Sequence, residues 1–361
     1  MIKHYFVCAN TSKGFQNFFA SNLKGLKKIY ILKGGPGTGK STLMKNVGAY
    51  YEMLDYDIEF IHCSSDVESL DGVIIRKMGV AIVDGTAPHV IEPTAPGALE
   101  EYVHLGIAWD ISQLEANLET IKKLQSQIQE CYVNVYKAFE DALEVHDEWE
   151  RIYISEMDFS KANHLTEEVK QLLIGDYVGN GTGEEVHRFF GATTPIGPTD
   201  FIENLTQDLE KRYFIKGRPG TGKSSMLKKI VLCAKEHKLD VEIYHCAFDP
   251  DSLDMLIIPE LNLCIFDSTA PHEYFPSTKR DEIIDVYENC VAKGTDEKYQ
   301  SELNKMQQEY KLCIKIARDS LGKAKSLHDK LEQFYIKATD FTKINEVRDD
   351  LLRQMKKFEI S

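Results

Sequence analysis

Nowhere in its 361 residues does the chain hold an apolar run of about 18 residues, so nothing in it reads as a membrane-spanning helix. Met1 to Asn10 lack the long apolar core of a signal peptide. The eight cysteines form no C-x-x-C pair, and only Cys63 and Cys246 occupy matching places in the two halves, which excludes a disulfide framework or a zinc ribbon. A cytoplasmic location with reduced thiols is the expectation. Positive charge is scarce: 43 Lys and Arg against 57 Asp and Glu leave a formal charge of −14. Such a field repels a nucleic-acid backbone unless a local basic patch offsets it. The short cluster Lys24, Lys27 and Lys28 reads as a solvated face, so nucleic acid is not an expected partner.

What the chain does have is a glycine-rich motif written twice. Gly34, Gly35, Pro36, Gly37, Thr38, Gly39, Lys40, Ser41 and Thr42 spell G-x-x-x-x-G-K-S-T. Gly217, Arg218, Pro219, Gly220, Thr221, Gly222, Lys223, Ser224 and Ser225 repeat its G-x-x-x-x-G-K-S, with serine in the last place. Each follows a short apolar run with strand character, Ile29 to Leu32 and Tyr213 to Ile215, and precedes a stretch able to form a helix. Glycines let successive backbone N–H groups curl around a phosphate, which then rests on a helix N-terminus. In that reading Lys40 and Lys223 reach the β- and γ-phosphates of ATP, and the hydroxyls of Ser41 and Ser224 ligate Mg²⁺.

The echo extends well beyond the motif. The offset of 183 residues between Lys40 and Lys223 aligns the halves without a gap from His4/His187 to Pro93/Pro276. After one deletion, His146-Asp147, Tyr153-Ile154 and Asp158-Phe159 recur as His328-Asp329, Tyr335-Ile336 and Asp340-Phe341. The expected organisation is two copies, 1–178 and 184–361, joined by a glycine-rich linker over 175–183. Each copy divides into a core, 1–98 or 184–280, and a helical hairpin, 99–174 or 281–357. Within a core, His4 to Ala9 reads as a strand, Gly14 to Leu26 as a helix, and Asp57 to Cys63 and Val80 to Asp84 as further strands. Strands alternating with helices predict an α/β fold with a parallel sheet covered on both faces. From Ile111 to Tyr153 apolar residues recur at 3-4 spacing, predicting one helix of roughly 65 Å, after which Ser160 to Ile174 folds back as a shorter helix. The bland use of these hairpins is to pack on one another; the sharper is to bind a protein partner or transmit motion, within a single-chain pseudo-dimer or a homodimer.

In open α/β sheets ligands gather beyond the carboxyl ends of the strands. Asp84 and Asp267, each closing a buried apolar run, suit the Walker B role of organising Mg²⁺, or simply cap a turn. The next residues are Gly85 and Ser268, so the glutamate that activates water in many ATPases is missing. Asp66 and Asp249 are the candidates for a catalytic base, or for receiving an acceptor hydroxyl as in small-molecule kinases; the alternative is a cap on a helix starting near Ser69. His89 and His272 could sense a γ-phosphate or belong to a rigid turn, and His146 and His328 fall on the helical seam. A zinc site of His62, Cys63, Asp66 and His89 is disfavoured, because adjacent strand residues point to opposite faces. Arg218 stands where the first copy has Gly35, and could reach across as an arginine finger.

These residues resemble the P-loop NTPase superfamily across the core of both halves. The tandem pattern of P-loop, H-C-x-x-D-x-x-S-L-D, D-x-T-A-P-H and helical segment is similar to a bacterial family known only as ATPases or ATP-binding proteins. The resemblance implies ATP and Mg²⁺ as cofactors and names no substrate. Tandem P-loop halves also occur in the arsenite-pump ATPase, but its signature lysine is replaced here by Gly35 and Arg218, so that likeness is one of architecture alone. The function expected is an ATPase with two pseudo-equivalent sites; a metabolite kinase and a nucleotide-dependent scaffold without turnover are the alternatives.

Overall fold

The computed structural model describes residues 1–359 and shows an α/β protein with two six-stranded sheets flanked by helices. The first half runs β1 (Ile2–Tyr5), β2 (Cys8–Thr11), β3 (Gly14–Asn17), α1 (Phe19–Asn22), β4 (Lys28–Lys33), α2 (Lys40–Glu52), β5 (Ile58–Cys63), β6 (Asp66–Ile75), β7 (Val80–Asp84) and β8 (Glu100–His104). Then come α3 (Ile111–Ala116), α4 (Leu118–Ser155) and α5 (Phe159–Leu173). The second half repeats this as β9 (Glu185–Arg188), β10 (Gly191–Thr194), β11 (Gly197–Asp200), α6 (Ile202–Thr206), β12 (Lys211–Lys216), α7 (Lys223–Glu236), β13 (Val241–His245), β14 (Leu253–Ile258), β15 (Leu263–Asp267) and β16 (Asp281–Asp285). It ends with α8 (Val286–Cys290), α9 (Thr295–Lys298), α10 (Gln300–Lys337) and α11 (Phe341–Met355).

The sheets are mixed, which corrects the expectation of parallel ones. Their orders are β1-β5-β6-β7-β4-β8 and, strand for strand, β9-β13-β14-β15-β12-β16, with β6 and β14 antiparallel to both neighbours. Only a short turn joins β5 to β6 and β6 to β7, and a parallel neighbour would need a crossover of a dozen residues or more. The helix expected near Ser69 is therefore strand β6, whose residues from Leu70 to Ile75 are all buried.

Three other expectations give way to turn chemistry. The strand His4 to Ala9 is broken at Phe6 and Val7 into β1 and β2. The helix expected over Gly14 to Leu26 is shortened to α1, because Gly14 to Asn17 form β3 of the hairpin β2–β3, with Gly14 in the left-handed region at φ 85° and Thr11 Oγ1 donating to Gly14 O at 2.8 Å. The long helix is interrupted at Asn117, so α4 spans 38 residues, roughly 57 Å.

Helices α4 and α10 pack antiparallel along one seam of Val135, Ala138 and Phe139 against Ala317 and Leu321. Expected to fold back on its own long helix, α5 instead packs on α7 and α8 of the second half. Val169, Leu173 and Ile174 there join one core with Met226, Leu227 and Ile230. Reciprocally α11 places Ile344, Leu351 and Met355 among Leu43, Met44 and Val47. Backbone bonds stitch each crossover: Asp158 N–H to Cys290 O and Asp340 N–H to Ala108 O, both 2.8 Å. The halves also meet at a local twofold, where Phe6 and its repeat equivalent Phe189 exchange backbone hydrogen bonds.

Candidate functional site

Each glycine-rich loop joins the end of a central strand to a helix, β4 to α2 and β12 to α7. Gly37 and Gly39 take φ of 66° and 84°, and Gly220 and Gly222 take 74° and 84°, conformations that a side chain would strain. Gly39 and Gly222 cap α2 and α7 without a side chain, so the first-turn N–H groups of both helices carry no side-chain cap. Thr38 Oγ1 donates to Gly35 O at 2.8 Å, and Thr221 Oγ1 to Arg218 O at 2.7 Å, tightening each loop. The result is a ring of main-chain donors at a helix N-terminus, the geometry that attracts anions.

The charged side chains converge on that ring. Lys40 Nζ donates to Gly34 O and Gly35 O at 2.9 and 2.8 Å and stands 3.6 Å from Asp84 Oδ2. Lys223 Nζ donates to Arg218 O at 2.9 Å and stands 3.5 Å from Asp267 Oδ2. Asp84 Oδ1 accepts from Thr86 N–H and Oγ1, and Asp267 Oδ1 from Thr269 Oγ1, so each carboxylate holds its turn with one oxygen and faces the lysine with the other. Ser41 and Ser224, second in α2 and α7, each accept a backbone N–H, from Leu70 and Leu253 at 3.0 and 2.9 Å.

Packing at the position after the acid leaves no place for a glutamate in the first half. A Cβ on Gly85 would lie 2.2 Å from Ile31 Cγ2, so the first half has no room there for any side chain.

Behind these groups lie two carboxyls, Asp71 and Asp254, that the sequence places in the group following the second strand, expected beyond the strand ends, but to which it gives no role. Asp71 on β6 is 3% exposed, and burial raises its pKa, with Asp84 adding to the rise. Its repeat equivalent Asp254 is raised in the same way by burial and by Asp267. In sequence each closes the doubled S-L-D, a stretch that reads as the start of a helix.

The candidate bases sit at the rim and are ion-paired with the opposite half. Asp66 accepts Ser69 Oγ–H at 3.0 Å and stands 3.4 Å from Lys325 of α10. Asp249 accepts Ser252 Oγ–H at 2.9 Å and stands 3.0 Å from Lys13. Arg218 is engaged within its own half, donating to Asp296 at 2.9 Å and lying over the Tyr287 ring. The zinc combination disperses, since His62 bonds His4 and Val67 O, at 2.8 and 2.7 Å, and Asp66 is committed as above. His272 Nδ1 bonds Asp200 Oδ2 at 2.7 Å, while His89 stands 3.5 Å from Asp71.

Least legible in advance is what covers the loops. Glu150 of α4 accepts the Gly220 N–H at 3.2 Å, and a Cβ on Gly220 would meet Glu150 O at 2.5 Å. On the first half, a Cβ on Gly37 would meet Glu332 O of α10 at 3.0 Å, and one on Gly35 the Tyr335 ring at 2.6 Å. Each glycine-rich loop is thus roofed by the long helix of the other half. His146 and His328, one turn before these glutamates, lie 3.8 and 3.7 Å from them, and burial lowers the pKa of both imidazoles. The available signal was that Glu150 and Glu332 are themselves repeat equivalents. Comparison with family models, curated protein sequences and solved structures finds no match to this chain.

Proposed function

We propose that the chain binds ATP with Mg²⁺ at two pseudo-equivalent P-loops and works as an ATPase that couples nucleotide occupancy to the α4–α10 pair. The observation that carries this reading is the doubled constellation of left-handed glycines, uncapped helix N-terminus, lysine and facing aspartate, with the opposite half's helix resting on each loop. The donor set suits the ion: Ser41 and Ser224 hydroxyls and Asp84 and Asp267 carboxylates are hard oxygen ligands, the kind Mg²⁺ takes. Bound there, Mg²⁺ would offset phosphate charge. The chain's own share is to hold the phosphates with backbone N–H groups and with Lys40 or Lys223 as a point charge. Those ammonium groups must leave the loop carbonyls they now hold, and on the second half phosphate oxygens compete with Glu150 for the Gly220 N–H. Nucleotide entry therefore displaces a helix belonging to the other half, which links the two sites mechanically.

Calorimetric titration with MgATP tests this reading. Two equivalents are expected to bind per chain, one after Lys40→Ala or Lys223→Ala, and none in the double variant; a wild-type chain that takes up no ATP overturns it. A second outcome follows from the roof. Hydrogen bonds to charged groups are worth roughly 1.5–3 kcal/mol, so Glu150→Ala in a Lys40→Ala background is expected to tighten ATP at the remaining site by about tenfold or more. Unchanged or weaker affinity there would show that the glutamate does not compete.

A further inference from the structure

Three separate elements of the first half bring a cysteine, an aspartate and a histidine together: Cys8 at the start of β2, Asp71 within β6, and His89 just past β7. They are 0%, 3% and 8% exposed, and one potential ligand atom from each lies within 4.8 Å of the other two. Asp71 Oδ1 is 3.5 Å from His89 Nε2. Two ligands of a tetrahedral zinc, each about 2.0–2.2 Å from the metal, stand roughly 3.3–3.6 Å apart.

The trio also has unmet needs. Asp71 Oδ2 and His89 Nδ1 are buried with no hydrogen-bond partner among the described residues. Polar atoms left so are costly in a folded interior, and a cation held at the cluster would offset that cost for the carboxylate.

The second half shows what the same fold does without such a need. Gly191 stands where the first half has Cys8, and Asp200 where it has Asn17. There His272 is satisfied by its 2.7 Å bond to Asp200.

We propose that the first half holds one thiophilic divalent cation, zinc by class, ligated by Cys8, Asp71 and His89. Sulfur and imidazole donors select zinc-like ions over Mg²⁺, which prefers oxygen alone. The ion would tie β2, β6 and the segment after β7 together beside the glycine-rich loop. It is one per chain and independent of nucleotide binding, so failure of either idea leaves the other standing.

Cobalt titration of chelator-treated chain, without nucleotide or Mg²⁺, tests it. One equivalent of Co²⁺ is expected to produce a thiolate-to-metal charge-transfer band with the intense visible bands of tetrahedral cobalt, and Zn²⁺ should bleach both. Cys8→Ser and His89→Gln should each weaken binding by more than about 100-fold, whereas Cys246→Ser in the second half should leave it unchanged. A wild-type spectrum without thiolate charge transfer, or a band that survives Cys8→Ser, overturns the assignment. The wild-type spectrum alone decides the matter if a variant fails to fold.

Discussion

Replacing Arg188 with methionine is expected to lower the unfolding free energy by about 3–5 kcal/mol, the loss typical of stripping the cation from buried carboxylates. Arg188 is 2% exposed and sits where the halves meet. Its Nη2 donates to Glu59 Oε2 at 3.3 Å, and its Nη1 lies 3.0 Å from Glu242 Oε2, close but off the hydrogen-bonding direction. Glu59 and Glu242 are repeat equivalents, so one guanidinium serves both carboxylates; its own counterpart in the first half, Tyr5, lies beneath it at 4.2 Å. Burial opposes the charge of both glutamates. Arg188, with Arg76 beside Glu59 and Lys3 beside Glu242, outweighs burial and holds each carboxyl at about 2.

Stability should depend on pH in one direction. A carboxyl held below its unfolded value of roughly 4.3 contributes stability that is fully present above that pH and is lost as pH falls toward 2. The wild-type chain should therefore weaken progressively below about pH 5. In Arg188→Met the glutamates lose their shared cation, so the deficit should be larger at pH 7 than at pH 4, where protonation relieves it. Urea unfolding at both pH values measures this; an equal deficit at the two would mean that packing, not charge, accounts for the arginine. Glu59→Gln with Glu242→Gln should recover part of the loss.

Cutting the chain at the linker is expected to have a still broader effect. Produced alone, residues 1–178 should fail to give a cooperatively folded protein, and so should 184–361; produced together, they should assemble into a stable complex. The first sheet is closed by Ile344, Leu351 and Met355 of α11 and the second by Val169, Leu173 and Ile174 of α5. At about 1.5–3 kcal/mol for each buried apolar side chain, removing three costs on the order of 5–9 kcal/mol, comparable to the stability of a whole domain. The α4–α10 seam would be stripped as well. Circular dichroism and thermal melting of the separate halves provide the measurement. A sharp melting transition from either half alone would mean that its terminal helix can close its own core.

That exchange of helices was not readable along the chain. The apolar stripes of α5 and α11 are the same whether each covers its own half or the other, because repeated halves present matching faces, and periodicity reports which face is buried but not against what. For the same reason Glu150 and Glu332 read as ordinary positions on amphipathic helices, although tertiary packing sets them over the glycine-rich loops. The β6 strand failed for a different reason: Leu70 to Ile75 is too short for periodicity to separate strand from helix, and its direction depends on the short turns at either end. Asp71 and His89 follow strands whose ends are expected to share one edge of the sheet, but Cys8 lies more than 60 residues before Asp71, and no local spacing could add it to their cluster.

What the chain's letters determined alone are the features that depend on neighbours along the backbone: the duplication, the two loops whose glycines adopt conformations closed to other residues, the strand–loop–helix order around them, and the apolar stripes of the long helices. The assembled structure alone decided the strand directions, the exchange of α5 and α11, the roofing of each loop by the opposite half and the sharing of Arg188 between two glutamates. The division has a physical cause. Backbone conformation and amphipathic period are set within a few residues, whereas the choice between equivalent partners is settled by loop length and by burial across the whole molecule.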